Sequence, residues 1–593
     1  AIARLLAGAR KSPAPPAREA PPERDVSEEE PRVGVFACRC DGIEEVVDLA
    51  RVLDHARGLK DVAHVQEVAE ACNDEGLKEI KRQIAEKGLN RVVVAGCTHR
   101  LYEAPLQEAL REAGLNPALL ERADLREGCA WAHWDQPEAA TAKAQELVEM
   151  AVAKARLLKP VPRSDRGVTT GALVIGGGLA GMTAALSLAE QGFPVHLVER
   201  EAELGGNLRH VHYTLYGGDA QALLRSLVRR VEENELIRVH RGAEVSEVSG
   251  CVGNFTVRVS DQGAGNQGIR EQVGEASVTF EVGAIIVATG GQEAVPTEYL
   301  YGEDPRVMTQ REFEAMLAES ESDASLPSSV VMIQCVGSRE PDRPYCSRIC
   351  CSQAIKNGLR LKEVNPRARV FVLYRDIRTY GFKEEAYRQA REAGGIFIPY
   401  DLDDKPQVVA RDEGLRVLAR DPVLGERLTL DADLVVLSTG IVPNENGALA
   451  GILGVPLDAD GFFQEANSKV RPMDFERAGI FLCGLAQAPH FMDETIVQAE
   501  GAALRAAILL RKGRLESRPM VASVNERLCS ACELCVQACP YGARFMDLER
   551  GVAAVDPILC QGCGVCVMVC PNGASQQNTF EMQQVMAMLD ATI

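Results

Sequence analysis

The sequence predicts an α/β protein with a separate cysteine-rich module near its C-terminus. Apolar strand-like runs such as VGVFAC and ALVIG alternate with helical stretches from residue 33 to about residue 510, which is the pattern of layered α/β units. Eight of the 19 cysteines then fall between positions 529 and 570. At roughly 150 residues per domain, a chain of this length is expected to hold about four domains.

Composition and charge exclude several classes of protein. The chain has 593 residues, with 65 Lys and Arg against 85 Asp and Glu, a net charge of −20. Such a surface would repel a phosphate backbone, so a nucleic-acid partner is not expected. No apolar run approaches the length of a membrane span, and the start lacks the apolar core of a signal peptide. We therefore expect a cytoplasmic protein with no membrane span.

The first 30 residues are rich in proline, alanine, arginine and glutamate. A segment of this composition cannot bury enough surface to offset chain entropy, so residues 1–30 are predicted to form a flexible arm. Its arginines would also suit a transit peptide, whereas the acidic run at 28–30 favours a truncated or docking arm.

Residues 31–160 are predicted to form a first α/β unit, which ends in a long helix closed by Pro160 and Pro162. The unit holds five cysteines at strand ends or in loops, where the functional side chains of α/β proteins converge. Scattered core thiols would explain them equally well. If four of them ligate one iron–sulfur cluster, with Cys38 as the spare, the predicted ligands are Cys40, Cys72, Cys97 and Cys129.

A glycine-rich turn, GGGLAG, joins the next strand to a helix. Gly176, Gly178 and Gly181 allow a tight turn, close approach of the backbone to a pyrophosphate, and close helix packing. Glu199 lies 18 residues beyond Gly181 at the end of a second strand, where it would accept the ribose hydroxyls. The context predicts a dinucleotide site rather than an ordinary glycine-rich turn.

Three later segments indicate which dinucleotide binds. EAELGGNLRH, GAIIVATGG and ADLVVLSTG resemble the marks of thioredoxin reductase-like flavoproteins, which have two dinucleotide-binding domains and hold FAD in the first. The resemblance implies FAD, although spacing alone leaves NAD open. It adds these candidate cofactor-binding residues: Gly206, Asn207, Thr289, Gly290, Thr439, Gly440 and Gly484.

The second nucleotide-binding-like domain lacks a glycine fingerprint of its own. Its first strand is followed by Cys335-Val336-Gly337, so no phosphate cradle of the usual kind is predicted, and we expect electrons to reach the flavin through clusters rather than from a nicotinamide. A redox disulfide between Cys350 and Cys351 is one reading of the nearby cysteines. The simpler one is a cluster ligated by Cys335, Cys346, Cys350 and Cys351.

Two identical cysteine quartets follow near the C-terminus. Each has the spacing C-x2-C-x2-C-x3-C-P, in which three thiolates bind one 4Fe-4S cluster and the fourth binds the other. A zinc site would not explain two such quartets. The predicted ligands are Cys529, Cys532, Cys535 and Cys570 for one cluster, and Cys560, Cys563, Cys566 and Cys539 for the other.

The ordered set of motifs resembles the A subunit of heterodisulfide reductase from about residue 33 to the C-terminus. The segments that carry the resemblance are GVFACRCDG, NRVVVAGCTHR, REGCAWAH, the glycine fingerprint with GGN, IQCVGSRE with CSRICC, and the tandem quartets. The resemblance implies a cytoplasmic FAD and iron–sulfur oxidoreductase subunit whose flavin is the proposed site of electron bifurcation. The implied partners are B- and C-like subunits of heterodisulfide reductase, ferredoxin, and a donor subunit linked to hydrogenase, formate or NADH. They would form a hetero-oligomer that could also dimerise through this subunit.

Three functions are open on the sequence. The first is a bifurcating or confurcating flavoenzyme subunit, the second a passive electron wire in a multisubunit aromatic-ring or quinone-linked reductase, and the third an NAD(P)H-dependent disulfide reductase using Cys350 and Cys351. About four 4Fe-4S clusters are expected. The predicted domains are an arm (1–30), an iron–sulfur α/β domain (31–160), an FAD-binding domain (161–327 and 441–518), a second nucleotide-binding-like domain (328–440), a bacterial-type ferredoxin domain (519–575) and a C-terminal helix (576–593).

Overall fold

A computed structural model describes residues 21–98, 102–261, 277–319 and 326–592. The chain divides into two compact units. Among the described residues, the central unit comprises those from 167 to 513, and the terminal unit combines those from 21 to 166 with those from 514 to 592. No helix in the described residues combines the length and the apolar character needed to cross a bilayer.

The N-terminal part of the terminal unit is a parallel sheet covered by helices. Strands Val33–Cys38 and Arg91–Gly96 are buried at every position, as expected for central parallel strands with both faces covered. The sheet order is Val62–Val68, Val33–Cys38, Arg91–Gly96, Leu120–Asp124. The helices are Leu49–Arg57, Asp74–Lys87, Glu103–Glu112 and Pro137–Ala155, with short turns at Pro117–Leu119 and Arg126–Ala130.

Part of the predicted flexible arm is packed against this domain. Val26 is fully buried, and the Arg24 amide donates a hydrogen bond of 2.8 Å to the Gly114 carbonyl. The contacts of Arg24 and Val26 are not those expected of a fully flexible arm, because one apolar side chain is buried in the core. Residues 1–20 of the predicted arm lie outside the described residues.

The C-terminal part of the terminal unit is a small module with two antiparallel sheets of two strands each. Ala522–Val524 pairs with Ser575–Gln577, and Arg544–Asp547 pairs with Val552–Val555, both antiparallel. Each cysteine quartet contributes one short helix, Leu534–Gln537 or Val565–Met568. Two further short strands, Asp165–Gly167 and Arg514–Glu516, pair with each other.

The C-terminal helix, Met582–Asp590, packs on the N-terminal domain rather than on the cysteine module. The Gln584 side chain donates a hydrogen bond of 3.1 Å to the Leu157 carbonyl. The Lys154 ammonium lies 3.6 Å from the centre of the Phe580 ring, which is a cation–π contact.

The central unit begins with a five-stranded parallel sheet and an antiparallel sheet beside it. The parallel order is Ile480–Leu482, Ala284–Val287, Ala172–Ile175, Val195–Glu199, Ile237–Arg241. The antiparallel strands are Ala243–Cys251, Asn254–Asp261 and Ser277–Val282. The helices of this part are Leu179–Glu190, Ala220–Glu232, Gly447–Leu453 and Met492–Arg511, with single turns at Gly206–His210 and Gly484–Ala486.

A second domain in the same unit repeats this plan. Its parallel strands, in order, are Val307–Thr309, Leu434–Leu437, Ser329–Ile333, Arg369–Tyr374 and Ile396–Pro399. Its antiparallel strands are Gln407–Ala410, Leu415–Arg420 and Arg427–Ala432. Its helices are Gln310–Glu319, Cys350–Val364 and Glu384–Glu392, with turns at Gly381–Lys383 and Leu402–Asp404. The predicted α/β class with two nucleotide-binding-like domains is confirmed.

The boundary between these two domains differs from the prediction. The strand Val307–Thr309 pairs with Leu434–Leu437 of the second sheet, so the second domain begins well before residue 328. Because this edge strand has only three residues, its sequence pattern is too short to indicate which sheet it joins. The strands Gly291–Glu293 and Ile441–Pro443, which pair antiparallel, join the two domains.

Candidate flavin and iron–sulfur sites

The glycine-rich turn requires glycine at two positions because the backbone approaches itself closely. A Cβ atom on Gly176 would lie 2.3 Å from the Ala288 carbonyl oxygen, and one on Gly181 would lie 1.7 Å from the Gly176 carbonyl oxygen. Gly178 is different, since a Cβ there would meet nothing closer than 4.0 Å. It precedes the helix Leu179–Glu190 and provides no side-chain cap, so the first amides of that helix are available to an anion.

Glu199 stands at the end of the neighbouring strand, where the sequence places it. Its carboxylate accepts hydrogen bonds from the Gly177 amide at 2.6 Å and the Glu201 amide at 2.9 Å. The residue is 7% exposed and lines the cleft above the turn. The acid is therefore held in place by backbone donors on both sides.

These residues border a cleft of about 940 Å³ in the central unit, at the upper end of the range for ligand sites. Eight predicted cofactor residues line it: Gly176, Gly178, Glu199, Gly206, Asn207, Thr289, Gly290 and Gly440. Three others do not, namely Gly181, Thr439 and Gly484. Of those three, Thr439 contacts the lining indirectly, because its hydroxyl donates to Glu293 at 3.4 Å. The size of the cleft and the open cradle at Gly178 fit FAD.

The helix Met492–Arg511 brings its first turn to the cleft, since Met492, Asp493 and Thr495 line it. The N-terminus of a helix carries partial positive charge. The sequence contains no Gly-Asp pair at this segment, and the Gly484 amide instead donates to the Gln498 side chain at 2.6 Å.

Sequence reasoning missed a buried ion pair in the cleft wall. The Lys356 ammonium lies 2.6 Å from the Glu314 carboxylate and 3.0 Å from the Tyr213 carbonyl oxygen. Burial lowers the pKa of Lys356, and the nearby Glu314 opposes that effect. The only signal in the sequence is a lysine six residues after Cys350 on one helix, which does not reveal a partner on another helix.

A second missed residue is Glu293, which also lines the cleft. Burial raises the pKa of its carboxyl group to about 7, against the smaller lowering effects of Arg311 and of the Thr439 hydroxyl. Glu312 and Glu314 raise it further. The cleft therefore contains one acid that changes charge near neutral pH.

The four cysteines of the second domain come together beside this cleft. Each of Cys335, Cys346 and Cys351 influences the pKa of the Cys350 thiol, which burial raises well above its usual value. Cys335 follows the strand Ser329–Ile333 in the left-handed region, with φ +60°, a conformation sparsely populated by residues other than glycine and often found at functional sites. Cys350 itself lines the flavin cleft.

Positive groups and amides surround this cysteine set. The Arg339 guanidinium lies 3.9 Å from the Cys335 sulfur, and the Arg348 amide donates to the Cys346 sulfur at 3.3 Å. Such contacts stabilise thiolates, which are the form that binds iron. Cys483, by contrast, is fully buried among core residues.

In the N-terminal domain the structure brings together a set different from the predicted one. The thiols of Cys97, Cys40 and Cys38 lie close enough to shift one another's pKa, and Cys72 lies close enough to interact with Cys38 and Cys97. Cys38 and Cys97 sit at the carboxyl ends of adjacent parallel strands, which explains their approach.

Cys129 is not part of this set. Its sulfur contacts the Ala140 carbonyl oxygen at 3.2 Å, and no cysteine is among the groups that shift its pKa, which burial raises to about 11. The sequence predicts that Cys129 joins Cys40, Cys72 and Cys97 and that Cys38 is spare. In the structure it is Cys38 that lies near these three cysteines, and Cys129 lies apart from them.

The cysteine module contains a cavity for the first predicted quartet and gathers the second on its other side. The cavity is lined by Cys529, Cys532, Cys535 and Cys570, three from the first motif and one from the second. On the other side, Cys560 and Cys539 are among the groups that affect the Cys566 thiol. Three amides donate to the sulfurs: Ala553 to Cys529, Ala522 to Cys560 and Ser575 to Cys570, at 3.3 to 3.4 Å.

The spacing of the sulfurs argues against single-ion sites. A tetrahedral zinc ion with Zn–S distances of about 2.3 Å would hold its sulfurs about 3.8 Å apart. Among the described residues, no three cysteine sulfurs lie within 4.8 Å of one another.

Two family models match parts of the chain. Residues 174–224 match the family described as "NAD(P)-binding Rossmann-like domain", and residues 528–574 match "4Fe-4S dicluster domain". The structure is similar to the thioredoxin reductase of T. acidophilum, with 16% identity and a TM-score of 0.39, over 57% of this chain and 97% of that one. It is also similar to the thioredoxin reductase of Lactococcus lactis, with 19% identity and a TM-score of 0.39, over 58% of this chain and 99% of that one.

Similarity to curated relatives extends along nearly the whole chain. The A subunit of "H(2):CoB-CoM heterodisulfide,ferredoxin reductase" from Methanothermobacter thermautotrophicus is 37% identical, over 96% of this chain and 99% of the relative. The second iron–sulfur A subunit of "CoB--CoM heterodisulfide reductase" from Methanopyrus kandleri is 37% identical, over 87% of this chain and 92% of the relative. The A subunit of "Ferredoxin/F(420)H(2)-dependent CoB-CoM heterodisulfide reductase" from Methanosarcina acetivorans is 34% identical, over 86% of this chain and 75% of the relative.

The predicted cofactors, FAD and 4Fe-4S clusters, are therefore supported both by the sites and by the matched families, and the chain is an oxidoreductase component of a multisubunit complex. It belongs to the family of heterodisulfide reductase A subunits.

Proposed function

We propose that the chain is the electron-bifurcating or electron-confurcating subunit of a cytoplasmic complex of the heterodisulfide reductase type. It would exchange electrons with ferredoxin, with a donor subunit, and with B- and C-like subunits that reduce a disulfide. The names of relatives that mention both a heterodisulfide and ferredoxin support two acceptors of different potential.

Four 4Fe-4S clusters follow from the cysteine sets. In the N-terminal domain we propose Cys38, Cys40, Cys72 and Cys97 as ligands, because these four converge. The second domain of the central unit supplies Cys335, Cys346, Cys350 and Cys351. The terminal module supplies Cys529, Cys532, Cys535 and Cys570 for one cluster, and Cys560, Cys563, Cys566 and Cys539 for the other.

One observation carries the proposal: Cys350, a member of a four-cysteine set, lines the flavin cleft. It is the first residue of the helix Cys350–Val364, which follows the strand Ser329–Ile333 of the second nucleotide-binding-like domain. In a dinucleotide-binding domain this helix N-terminus would face a pyrophosphate. Cysteines in its place favour a cluster as the neighbour of the flavin, and they disfavour both a bound nicotinamide nucleotide and the NAD(P)H-dependent disulfide reductase.

Bound FAD would supply exchange between a two-electron donor and one-electron clusters. The chain's own residues would prepare the cleft for this chemistry. Glu199 and the helix after Gly178 would hold the ribose and the phosphates. Lys356, fixed by Glu314, would present a positive charge at the cleft wall and so stabilise negative charge on a reduced ligand.

The test uses the complex purified anaerobically with its partners. A two-electron donor is supplied with ferredoxin and a disulfide acceptor, separately and together. We expect each acceptor to be reduced only when both are present, in equal electron amounts. Independent reduction of either acceptor would overturn bifurcation and favour a simple electron wire.

Matched cysteine variants test the connection to the flavin. Cys346→Ser, in the set beside the cleft, is expected to abolish reduction of both acceptors while flavin content stays unchanged. Cys251→Ser, which alters a cysteine on the antiparallel sheet, serves as the control and is expected to keep coupled activity. If the Cys346 variant still reduced both acceptors together, the proposed electron path through this cysteine set would be contradicted.

A further inference from the structure

The cysteine module contains a buried arginine whose charge has no acidic partner in the described residues. Arg544 begins the strand Arg544–Asp547 and is only 4% exposed. Its Nη2 donates to the Ser575 hydroxyl at 2.7 Å, but Nε and Nη1 have no hydrogen-bond partner. A buried, unpaired guanidinium is costly, and its persistence calls for a compensating negative charge.

The position of Arg544 indicates where that charge lies. The side chain lines the cavity formed by Cys529, Cys532, Cys535 and Cys570. The guanidinium therefore lies against that cavity, whose lining also includes its hydrogen-bond partner Ser575.

A 4Fe-4S cluster with four thiolates is an anion whose sulfurs accept hydrogen bonds, and such contacts set its reduction potential. Each added electron makes the cluster more negative, so a fixed positive charge stabilises the reduced form. The Coulomb interaction is strong here because water is excluded from the site.

We propose that Arg544 is a positioning and potential-setting residue for the cluster held by Cys529, Cys532, Cys535 and Cys570, to which its free N–H groups donate. It makes that cluster easier to reduce than it would be without the guanidinium. The two clusters of the module, although bound by identical motifs, then differ in potential, and an electron resides first on this one. The inference rests on the proposed cluster ligation.

The experiment is a potentiometric titration of the anaerobic holoprotein followed by EPR, with iron measured per chain. Arg544→Gln removes the charge and is expected to lower one midpoint potential of the module by the equivalent of at least a tenfold change in the one-electron equilibrium, about 59 mV. Arg544→Lys keeps a charge but not the planar fork, so a smaller shift in the same direction is expected.

Two controls separate this role from a structural one. Arg550→Gln removes an exposed charge on the same hairpin, one paired with Glu526, and is expected to leave both potentials unchanged because water and salt screen it. Glu549→Gln removes an exposed carboxylate of the same hairpin and should likewise leave both potentials unchanged.

The outcomes are distinguishable. Unchanged potentials in Arg544→Gln with full iron would overturn the inference. Should that variant fail to hold iron, Arg544→Met, which keeps much of the side-chain volume without the charge, takes its place, and an unchanged potential there overturns the inference equally. Absence of iron from the unmodified protein would instead contradict the proposed cluster binding itself.

Discussion

The ammonium of Lys356 lies 2.6 Å from the carboxylate of Glu314, and both side chains are almost fully buried in the wall of the flavin cleft. The two residues come from the helices Cys350–Val364 and Gln310–Glu319 of the second domain. The helix that bears Cys350 and Cys351 thus also places a paired lysine in the wall of the cleft. One helix therefore joins the four-cysteine set to the cleft in which we propose that FAD binds.

Breaking this pair should be costly. Glu314→Gln leaves a buried ammonium without its counter-ion, and we expect a loss of about 3–5 kcal/mol in the free energy of unfolding. The double variant with Lys356→Met should lose less than the two single changes added together. Denaturant unfolding of all four proteins measures the coupling. The exposed pair of Arg360 and Glu363 is the control, and we expect a coupling energy between its two side chains of at most about 1 kcal/mol. A coupling energy no larger than this between Lys356 and Glu314 would contradict the prediction.

Two glycines of the nucleotide turn should fail for different reasons. Gly181→Ala would force a methyl group against the Gly176 carbonyl, so we expect loss of folded protein. Gly178→Ala has space for a methyl group but fills the phosphate cradle, so we expect a folded protein with little flavin. Circular dichroism and flavin absorbance per chain separate the two outcomes. Gly447→Ala, in open space, should behave as the unmodified protein, and full flavin in the Gly178 variant would contradict the proposed cradle.

The ligands of the N-terminal cluster can be decided by iron content. If Cys38, Cys40, Cys72 and Cys97 bind it, Cys38→Ser should remove about four iron atoms per chain. Cys129→Ser should remove none, because its thiol contacts the Ala140 carbonyl instead. The reverse result would restore the ligand set expected from the sequence.

Glu293 should make stability depend on pH. Because burial raises its pKa in the folded protein from 4.5 to about 7, the folded state binds the proton more tightly than the unfolded state. Its contribution is fully present below about pH 4.5 and is lost as the pH rises through about 7. Glu293→Gln should therefore match the unmodified protein at pH 5 and exceed it at pH 8 by on the order of 3 kcal/mol.

Thermal or denaturant unfolding across this pH range measures the effect. Glu445→Gln, which alters an exposed carboxylate, is the control and should follow the unmodified protein throughout. Parallel stability curves for Glu293→Gln and the unmodified protein would show that the buried carboxyl group is not the source.

Local spacing was sufficient for several features of this protein. The two quartets, each closed by proline, determine a crossed arrangement, because three cysteines in one tight loop can meet only one cluster and leave the fourth for its neighbour. The two loops even share left-handed residues, Ala531 and Glu533 in the first and Gly562 and Gly564 in the second. In the same way, the strand, turn and helix around Gly176 follow from residues that are adjacent in the chain.

Only tertiary structure decided which distant residues meet. Cys38 joins Cys97 because their strands are neighbours in a parallel sheet, whereas Cys129 lies in a turn that faces the helix Pro137–Ala155. Likewise, Lys356 finds Glu314, and Arg544 reaches the cysteine cavity, through helix and strand packing. The physical reason is the same in each case: a short motif sets local backbone geometry, but burial and charge depend on what the rest of the fold places beside a side chain.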